Sequence, residues 1–307
     1  MKDYRQIVHD GLFGLLVGDA LGVPYEFHQK HEIPPFDQIE FEPPQGFHRT
    51  YAGLLPGTWS DDGAQALCLL DSLIRCGKLD VYDFGNRLVK WLYEGLWAVD
   101  NEVFDCGIQT SSALRELARG IPPDHSGFCN PNGKGNGALM RVLPLALWHR
   151  GTDEELVKDA HSQAIVTHGH ICNQVCCALY CMWARRIITG ESVIESYNNA
   201  VESLRSHYRT EPEYTYELEG CIAEGVPTGS GFVVDSLRST KYLLFIHDNY
   251  ERVVKGAVSF GNDTDTTAAI AGGLAGIAFG GIPERWLSAL RDKVYVDALI
   301  QSLFSQE

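Results

Sequence analysis

Gly261-Asn262-Asp263-Thr264-Asp265-Thr266-Thr267-Ala268-Ala269-Ile270-Ala271-Gly272 is the stretch whose reading decides the fold. Two carboxylates two residues apart, with hydroxyls between and after them, open a run of small apolar residues extending to Gly280. The run reads as a tightly packed helix. Gly272, Gly276 and Gly280 recur every four residues, so they share one face and let another backbone approach closely. Asp263, Asp265 and Thr266 then stand at the helix start, where free N–H groups and the helix dipole favour anions. A bare N-cap uses one such side chain, and several oxygen donors are present. Two readings are open: an oxygen site for a Mg²⁺- or Ca²⁺-type cation, or an over-capped helix start.

A partner for that glycine face lies at the other end of the chain. Residues 4–22 read as a helix, with Gly11, Gly14, Gly18 and Gly22 at three- and four-residue spacing. Each free helical glycine costs roughly 1 kcal/mol against alanine, which close packing on the C-terminal glycine helix would offset. Glu26 follows Val23-Pro24-Tyr25 and, by itself, reads as a surface residue. A second acidic helix start, Ser60-Asp61-Asp62-Gly63, precedes a stripe of Leu67, Leu70 and Ile74. Ser60 is a natural N-cap, and adjacent aspartates repel unless a cation lies between them. The repetition of the pattern favours metal: carboxylates and hydroxyls from two helix starts can hold two hard cations side by side.

Residues 28–57 form a proline- and aromatic-rich loop, of a length that often shapes a site. Helical patterns follow at 80–98 and 108–119. The loop 120–137 ends in Gly133-Lys134-Gly135-Asn136-Gly137, ahead of an expected helix from Ala138 to Trp148. Glycines around a lysine suit a backbone cradle for phosphate or a flexible connector, and the spacing is not that of a P-loop. Further helices are expected at about 153–167, 171–189, 191–206, 214–224, 235–246 and 249–259. Pro283 is expected to open a last one, with Trp286, Leu287, Leu290, Val294 and Leu299 as its apolar side. His168 and His170 flank Gly169 at a helix junction, and two histidines without a third partner are weak for zinc. With no long strand-period stretch and no compositional boundary, the expectation is one all-α domain over 1–307.

The 307 residues include 45% hydrophobic ones and carry a formal charge of −15, which argues against disorder and against general nucleic-acid or anionic-membrane binding. An anionic ligand would need backbone amides, a local cation or a metal. Cys172, Cys176, Cys177 and Cys181 are spaced as on an apolar helix rather than as a zinc knuckle. With nine cysteines in all, they are expected to be reduced, buried thiols of a cytoplasmic protein. Met1-Lys2-Asp3-Tyr4-Arg5 shows no signal-peptide pattern, and residues 267–280 are too short to span a bilayer.

Taken together, the motifs resemble those of the ADP-ribosylglycohydrolase family. Gly14-Leu15-Leu16-Val17-Gly18-Asp19-Ala20-Leu21-Gly22-Val23-Pro24-Tyr25-Glu26 resembles its N-terminal motif, and Ser60-Asp61-Asp62 its first acidic motif. Gly135-Asn136-Gly137-Ala138-Leu139-Met140-Arg141 resembles its glycine loop, Thr167-His168 its histidine, and Gly261 to Thr266 its second acidic motif. The matches fall in family order from residue 14 to 280. The resemblance implies an all-α fold with a cleft holding two Mg²⁺ ions, or Mn²⁺ in their place, ligated by Ser60, Asp61, Asp62, Asp263, Asp265 and Thr266. It implies roles at the reacting centre for Glu26, Asp61 and Asp62. Gly107, Gly133, Gly135, Asn136, Gly137 and His168 match positions around the diphosphate and the distal ribose. The chain departs from the family's common pattern at Ser60 and Gly63, where threonine is usual; the first change keeps the hydroxyl and the second removes a small contact.

The expected activity is Mg²⁺-dependent removal of ADP-ribose from an acceptor, arginine favoured over serine, by cleavage of the N- or O-glycosidic bond. Two other functions fit parts of the pattern: an immunity protein that occludes an ADP-ribosylating toxin, and a metal-dependent hydrolase of a free nucleotide.

Overall fold

The computed structural model describes residues 3–305, so Met1 and Lys2 of the Met1–Arg5 stretch lie outside them. Its α-helices are, in order, α1 (Tyr4–Gly22), α2 (Asp61–Cys76), α3 (Val81–Glu94), α4 (Ile108–Ala118) and α5 (Pro123–Ser126). Then come α6 (Leu143–Trp148), α7 (Asp153–Ile165), α8 (Ile171–Ile188), α9 (Val193–Tyr208) and α10 (Pro212–Ile222). The last are α11 (Val233–Ile246), α12 (Tyr250–Val258), α13 (Thr264–Phe279), α14 (Glu284–Ala289) and α15 (Lys293–Phe304). No strand occurs among the described residues; two isolated bridges, Phe128 with His168 and Gly135 with Phe232, tie loops together.

α1 and α13 lie side by side at the centre, with α2, α6, α8, α11 and α12 around them. Their glycine faces meet as the spacing predicts. A Cβ on Gly14 would press on Gly272 O, on Gly18 it would overlap Ala268 O, and on Gly276 it would overlap Asp10 O. Thr264 Oγ1 donates to Gly22 O (2.8 Å) between the two helices, and Tyr250 Oη of α12 donates to Gly14 O (2.7 Å) beside them. By length and composition α1 could cross a bilayer, but 89% of its apolar window is buried in this core.

Several expectations are corrected. Gly280 is not on the α13 face; it caps the helix at φ 63°, a conformation glycine adopts without strain. The helix expected from Ala138 starts only at Leu143, with Pro144 in its first turn, where its missing N–H costs nothing. The stretch before it turns back on itself, with the Leu139 and Met140 amides both donating to Asn136 O. The helix expected from Pro283 is broken in two, because Leu290 is extended and Asp292 takes φ 50°. Val294, placed on its apolar side, is exposed.

Candidate active site

α2 and α13 begin beside each other because both pack against α1. Ser60 caps α2, its Oγ accepting from Asp62 N (3.4 Å) and donating to Asp62 Oδ2 (3.0 Å). Asp19, near the end of α1, accepts from the amides of Ser60 (2.9 Å) and Gly63 (2.8 Å). It thus caps the next helix from outside and pins the first acidic start to the core. At the second start Asp263 is the N-cap residue of α13, yet its side chain makes no capping bond. Its Oδ2 accepts instead from Asn136 Nδ2 (2.8 Å). That removes the over-capped reading for Asp263.

The two starts meet. Thr266 Oγ1 reaches Asp62 Oδ2 (3.4 Å), and carboxylate oxygens of Asp19, Asp62 and Asp265 lie within 4.8 Å of one another. Those of Glu26, Asp105 and Asp265 do the same. Glu26 is not a surface residue; it is 3% exposed, with Oε2 accepting from Tyr51 Oη (2.8 Å). Asp62 Oδ1 and Asp265 Oδ2 are buried with no hydrogen-bond partner. Unpaired carboxylate oxygens so buried are costly unless a cation takes them. Hard oxygen donors of this kind suit Mg²⁺-type cations, so the donor set fits the cofactor that the motifs imply.

The electrostatics say the same. Burial raises Glu26 to about 9, with Asp105 and Asp263 adding to it, and raises Asp105 to about 6. Asp19 rises to about 7 by burial, against the lowering effect of the Ser60 and Gly63 amides. Asp61, Asp62 and Asp265 are pushed well above the carboxylate range by burial and by neighbouring acids. Folded-state values above the unfolded ones mean that the native protein holds more protons, so stability falls as pH rises. Without metal, the melting temperature is therefore expected to drop between about pH 5 and about pH 9, the window spanned by the Glu26 shift. Bound cations invert this local balance, so added Mg²⁺ should flatten the slope. Parallel melting curves with chelator and with Mg²⁺ would refute the charge-repulsion account.

One wall of the site is braced by a buried cation. Arg141, 0% exposed, donates to Gln65 Oε1 (2.9 Å), and Gln65 Nε2 donates to Asp61 Oδ2 (2.8 Å). Gly63 is closely packed: a Cβ there would sit 2.7 Å from Leu16 Cδ2 and 2.9 Å from Trp59. The change from threonine thus accompanies a filled space rather than a lost contact.

A cleft of about 720 Å³ opens from the carboxylates, lined by Glu26, Asp61, Asp105, Asp263 and Thr266 at one end. Gly107, Gly135, Asn136, Gly137 and His168 line it too, with Ser230 and Gly231 beside Asn136. Besides the starts of α2 and α13, that of α4 faces the cleft, its Gly107 to Thr110 all lining it. Gly133 lies in an adjoining groove, its amide spent on Asn130 O and its carbonyl accepting from Asn173 Nδ2 (2.8 Å). The Asn136 amide is likewise spent, on Gly231 O, whereas no hydrogen bond among the described residues uses those of Gly135 or Gly137. Lys134 pairs with Glu217 at 3.2 Å. His168 is buried with Nδ1 2.8 Å from Thr167 Oγ1, and burial, aided by Arg141, lowers it to about 3, so the ring is neutral. His170 accepts from Cys172 N and caps α8.

Asp19, Tyr51, Asp105, Ser230 and Gly231 are site neighbours that no local pattern in the chain singles out. Asp19 stood inside a quoted motif. Asp105, in a loop at φ 47°, carried no periodic signal.

Comparison with known proteins agrees with this geometry. The sequence model of the ADP-ribosylglycohydrolase family matches residues 1–307. An ADP-ribosylarginine hydrolase Tri1 from Pseudomonas putida (strain GB-1) is 30% identical, over 96% of this chain and 77% of that protein. The ADP-ribosyl-[dinitrogen reductase] glycohydrolase of Rhodospirillum rubrum is 31% identical, over 95% of this chain and 96% of that protein. A solved structure described as an ADP-ribosylglycohydrolase-related protein complex superimposes with TM-score 0.77 at 29% identity, covering 99% of both chains. With the family's motifs, its all-α fold and its acidic cluster in place, the chain belongs to the ADP-ribosylglycohydrolase family and is a glycosidase-type hydrolase.

Proposed function

We propose that the protein is a Mg²⁺-dependent hydrolase that frees ADP-ribose from a modified acceptor, an arginine side chain first, with residues 1–307 acting as one functional unit. The observation that carries the metal dependence is the pair of orphaned oxygens, Asp62 Oδ1 and Asp265 Oδ2, buried where the two acidic starts meet. The arginine preference rests on the likeness to an ADP-ribosylarginine hydrolase.

Ser60, Asp61, Asp62, Asp263, Asp265 and Thr266 would hold two cations. Bound there, the cations supply charge stabilisation for ribose hydroxyls and a lowered pKa for water. Glu26 would move the proton: it lines the cleft, burial and neighbouring acids hold its carboxyl above the usual range until cations offset them, and Tyr51 donates to Oε2, leaving Oε1 for the water. Loss of the acceptor leaves an oxocarbenium-like ribose, as in other glycoside cleavages. The amides of Gly135 and Gly137, with the first turn of α4, would take the diphosphate, which explains how a chain of charge −15 holds an anion. The neutral His168 would hydrogen-bond without adding charge.

Gly137→Val tests the cradle. Its side chain would begin 2.8 Å from His168 Cε1 and 3.1 Å from Thr110 Oγ1, closing the cleft there. Calorimetry should show ADP-ribose affinity falling by about tenfold or more, the equivalent of about 1.4 kcal/mol. Unchanged affinity would return the loop to a connector. For the activity as a whole, a panel of arginine-, serine- and base-linked ADP-ribose substrates should yield intact ADP-ribose from the arginine conjugate, and none in chelator. Cleavage within the diphosphate would point to the free-nucleotide hydrolase instead.

A further inference from the structure

Apart from the carboxylate cleft, three cysteines converge between α8 and α10. Cys172 and Cys176 stand one turn apart on α8, and Cys221 faces them from α10, the three sulfurs lying within 4.8 Å of one another. Cys176 Sγ and Cys221 Sγ are 3.2 Å apart. These separations bracket those of a metal thiolate: bonds of about 2.3 Å at tetrahedral angles place sulfurs about 3.8 Å apart. Burial alone does not produce the arrangement. Cys68, Cys177 and Cys181 are equally buried and join no such cluster among the described residues.

We propose that Cys172, Cys176 and Cys221 form a thiolate site for a soft divalent cation of the zinc class, separate from the carboxylate centre. Sulfur donors strongly favour zinc over Mg²⁺, while carboxylate oxygens suit Mg²⁺ when it is in excess, so one chain can hold both kinds of ion. Each thiol gives its proton to solvent as its sulfur binds, so affinity rises with pH. Three thiolates and one divalent cation leave a single negative charge, beside which stands Lys134. Glu217, one turn before Cys221 on α10, stays paired with Lys134 at 3.2 Å, so the fourth position of a tetrahedral ion is left to water. A path in exists: Cys221 lines a pocket of about 270 Å³ together with Arg238, Lys241 and Tyr242.

The site has a structural consequence for the cleft. α8 holds the glycine loop through Asn173 Nδ2 and Gly133 O, and α10 holds it through Glu217 and Lys134. A cation joining the two helices fixes both anchors of that loop. A disulfide between Cys176 and Cys221 is the competing chemistry. It would have to close 3.2 Å to about 2.05 Å and would leave Cys172 unused.

The test uses the full chain, reduced, stripped with chelator and supplied with excess Mg²⁺, then titrated with Co²⁺ alone. The expected result is a thiolate-to-cobalt charge-transfer absorption that saturates at one Co²⁺ per chain and is bleached by Zn²⁺. Cys176→Ala and Cys221→Ser, checked for helicity by circular dichroism, should lose it, whereas Asp265→Asn should keep it. Absence of the band in the unsubstituted protein overturns the proposal whatever the variants do. So does a band that survives in both cysteine variants, or one that Asp265→Asn abolishes. A Cys176–Cys221 disulfide found by mass spectrometry after hydrogen peroxide, in protein showing no cobalt band, would assign the pair to redox chemistry and refute the metal site.

Discussion

Asp265→Asn is expected to lower turnover by about a thousand-fold while raising the melting temperature of the metal-free protein. Both signs come from one side chain. Asp265 is fully buried, one oxygen accepts from Thr266 N (2.9 Å), and the other has no partner. It faces Glu26, Asp105 and Asp62, which with burial hold its pKa far above the usual carboxylate range. Removing that charge relieves the metal-free fold, and removing the ligand forfeits about 4 kcal/mol of charge stabilisation in the reaction, at about 1.4 kcal/mol per decade. Added Mg²⁺ at a hundred times its dissociation constant stabilises a binding-competent chain by about 2.7 kcal/mol, roughly 4 °C for an unfolding entropy of about 2.1 cal/mol/K per residue. Asp265→Asn should lose most of that gain. If Asp265 were only a helix-start residue, the substitution would instead cost up to about 1 kcal/mol and leave turnover in place. Turnover assays and paired melting curves with and without Mg²⁺ distinguish the two.

Gly18→Ala should destabilise the protein by about 3 kcal/mol or more, against the ordinary helix preference. Alanine in a helix is favoured over glycine by roughly 1 kcal/mol. At Gly18, however, the new Cβ would overlap the carbonyl of Ala268, and backbone cannot rotate aside as a side chain can. Gly220→Ala in α10 is the control: nothing lies within 4 Å of its Cβ position, so the same change should stabilise slightly. Denaturant unfolding of both variants gives the comparison. Equal, small effects would mean that the α1–α13 contact does not set the fold. The prediction also reaches the site, because a Cβ on Gly22, one turn beyond Gly18, would overlap Asp265 Cα.

These two residues illustrate what the chain reveals about itself. Glycine at three- and four-residue intervals in two separate helices is a local signal with one physical use, and it located the central helix pair. Serine or aspartate before an apolar stripe is equally local, and it located both acidic starts. The contents of the cleft were less legible. Asp19 lies inside a helix, where periodicity gives it no distinction, and it acts by reaching across to the start of α2. Tyr51 and Asp105 come from irregular loops whose positions depend on what they pack against. Glu26 looked exposed because a proline precedes it by two residues, yet the loop 28–57 folds over it, with Thr50 Oγ1 donating to its carbonyl. Arg141 was legible only as part of a motif; its bond to Gln65, which in turn holds Asp61, joins residues 76 positions apart.

In the proposed function, two acidic helix starts, brought together by the glycine contact of α1 and α13, make a centre for two divalent cations on which hydrolysis depends. Counting Mn²⁺ bound at equilibrium, on the purified chain and on Asp265→Asn, tests it most directly. Two Mn²⁺ per chain are expected, fewer in the variant, with turnover following the bound count. A chain that binds no Mn²⁺ and still releases ADP-ribose in excess chelator would contradict it.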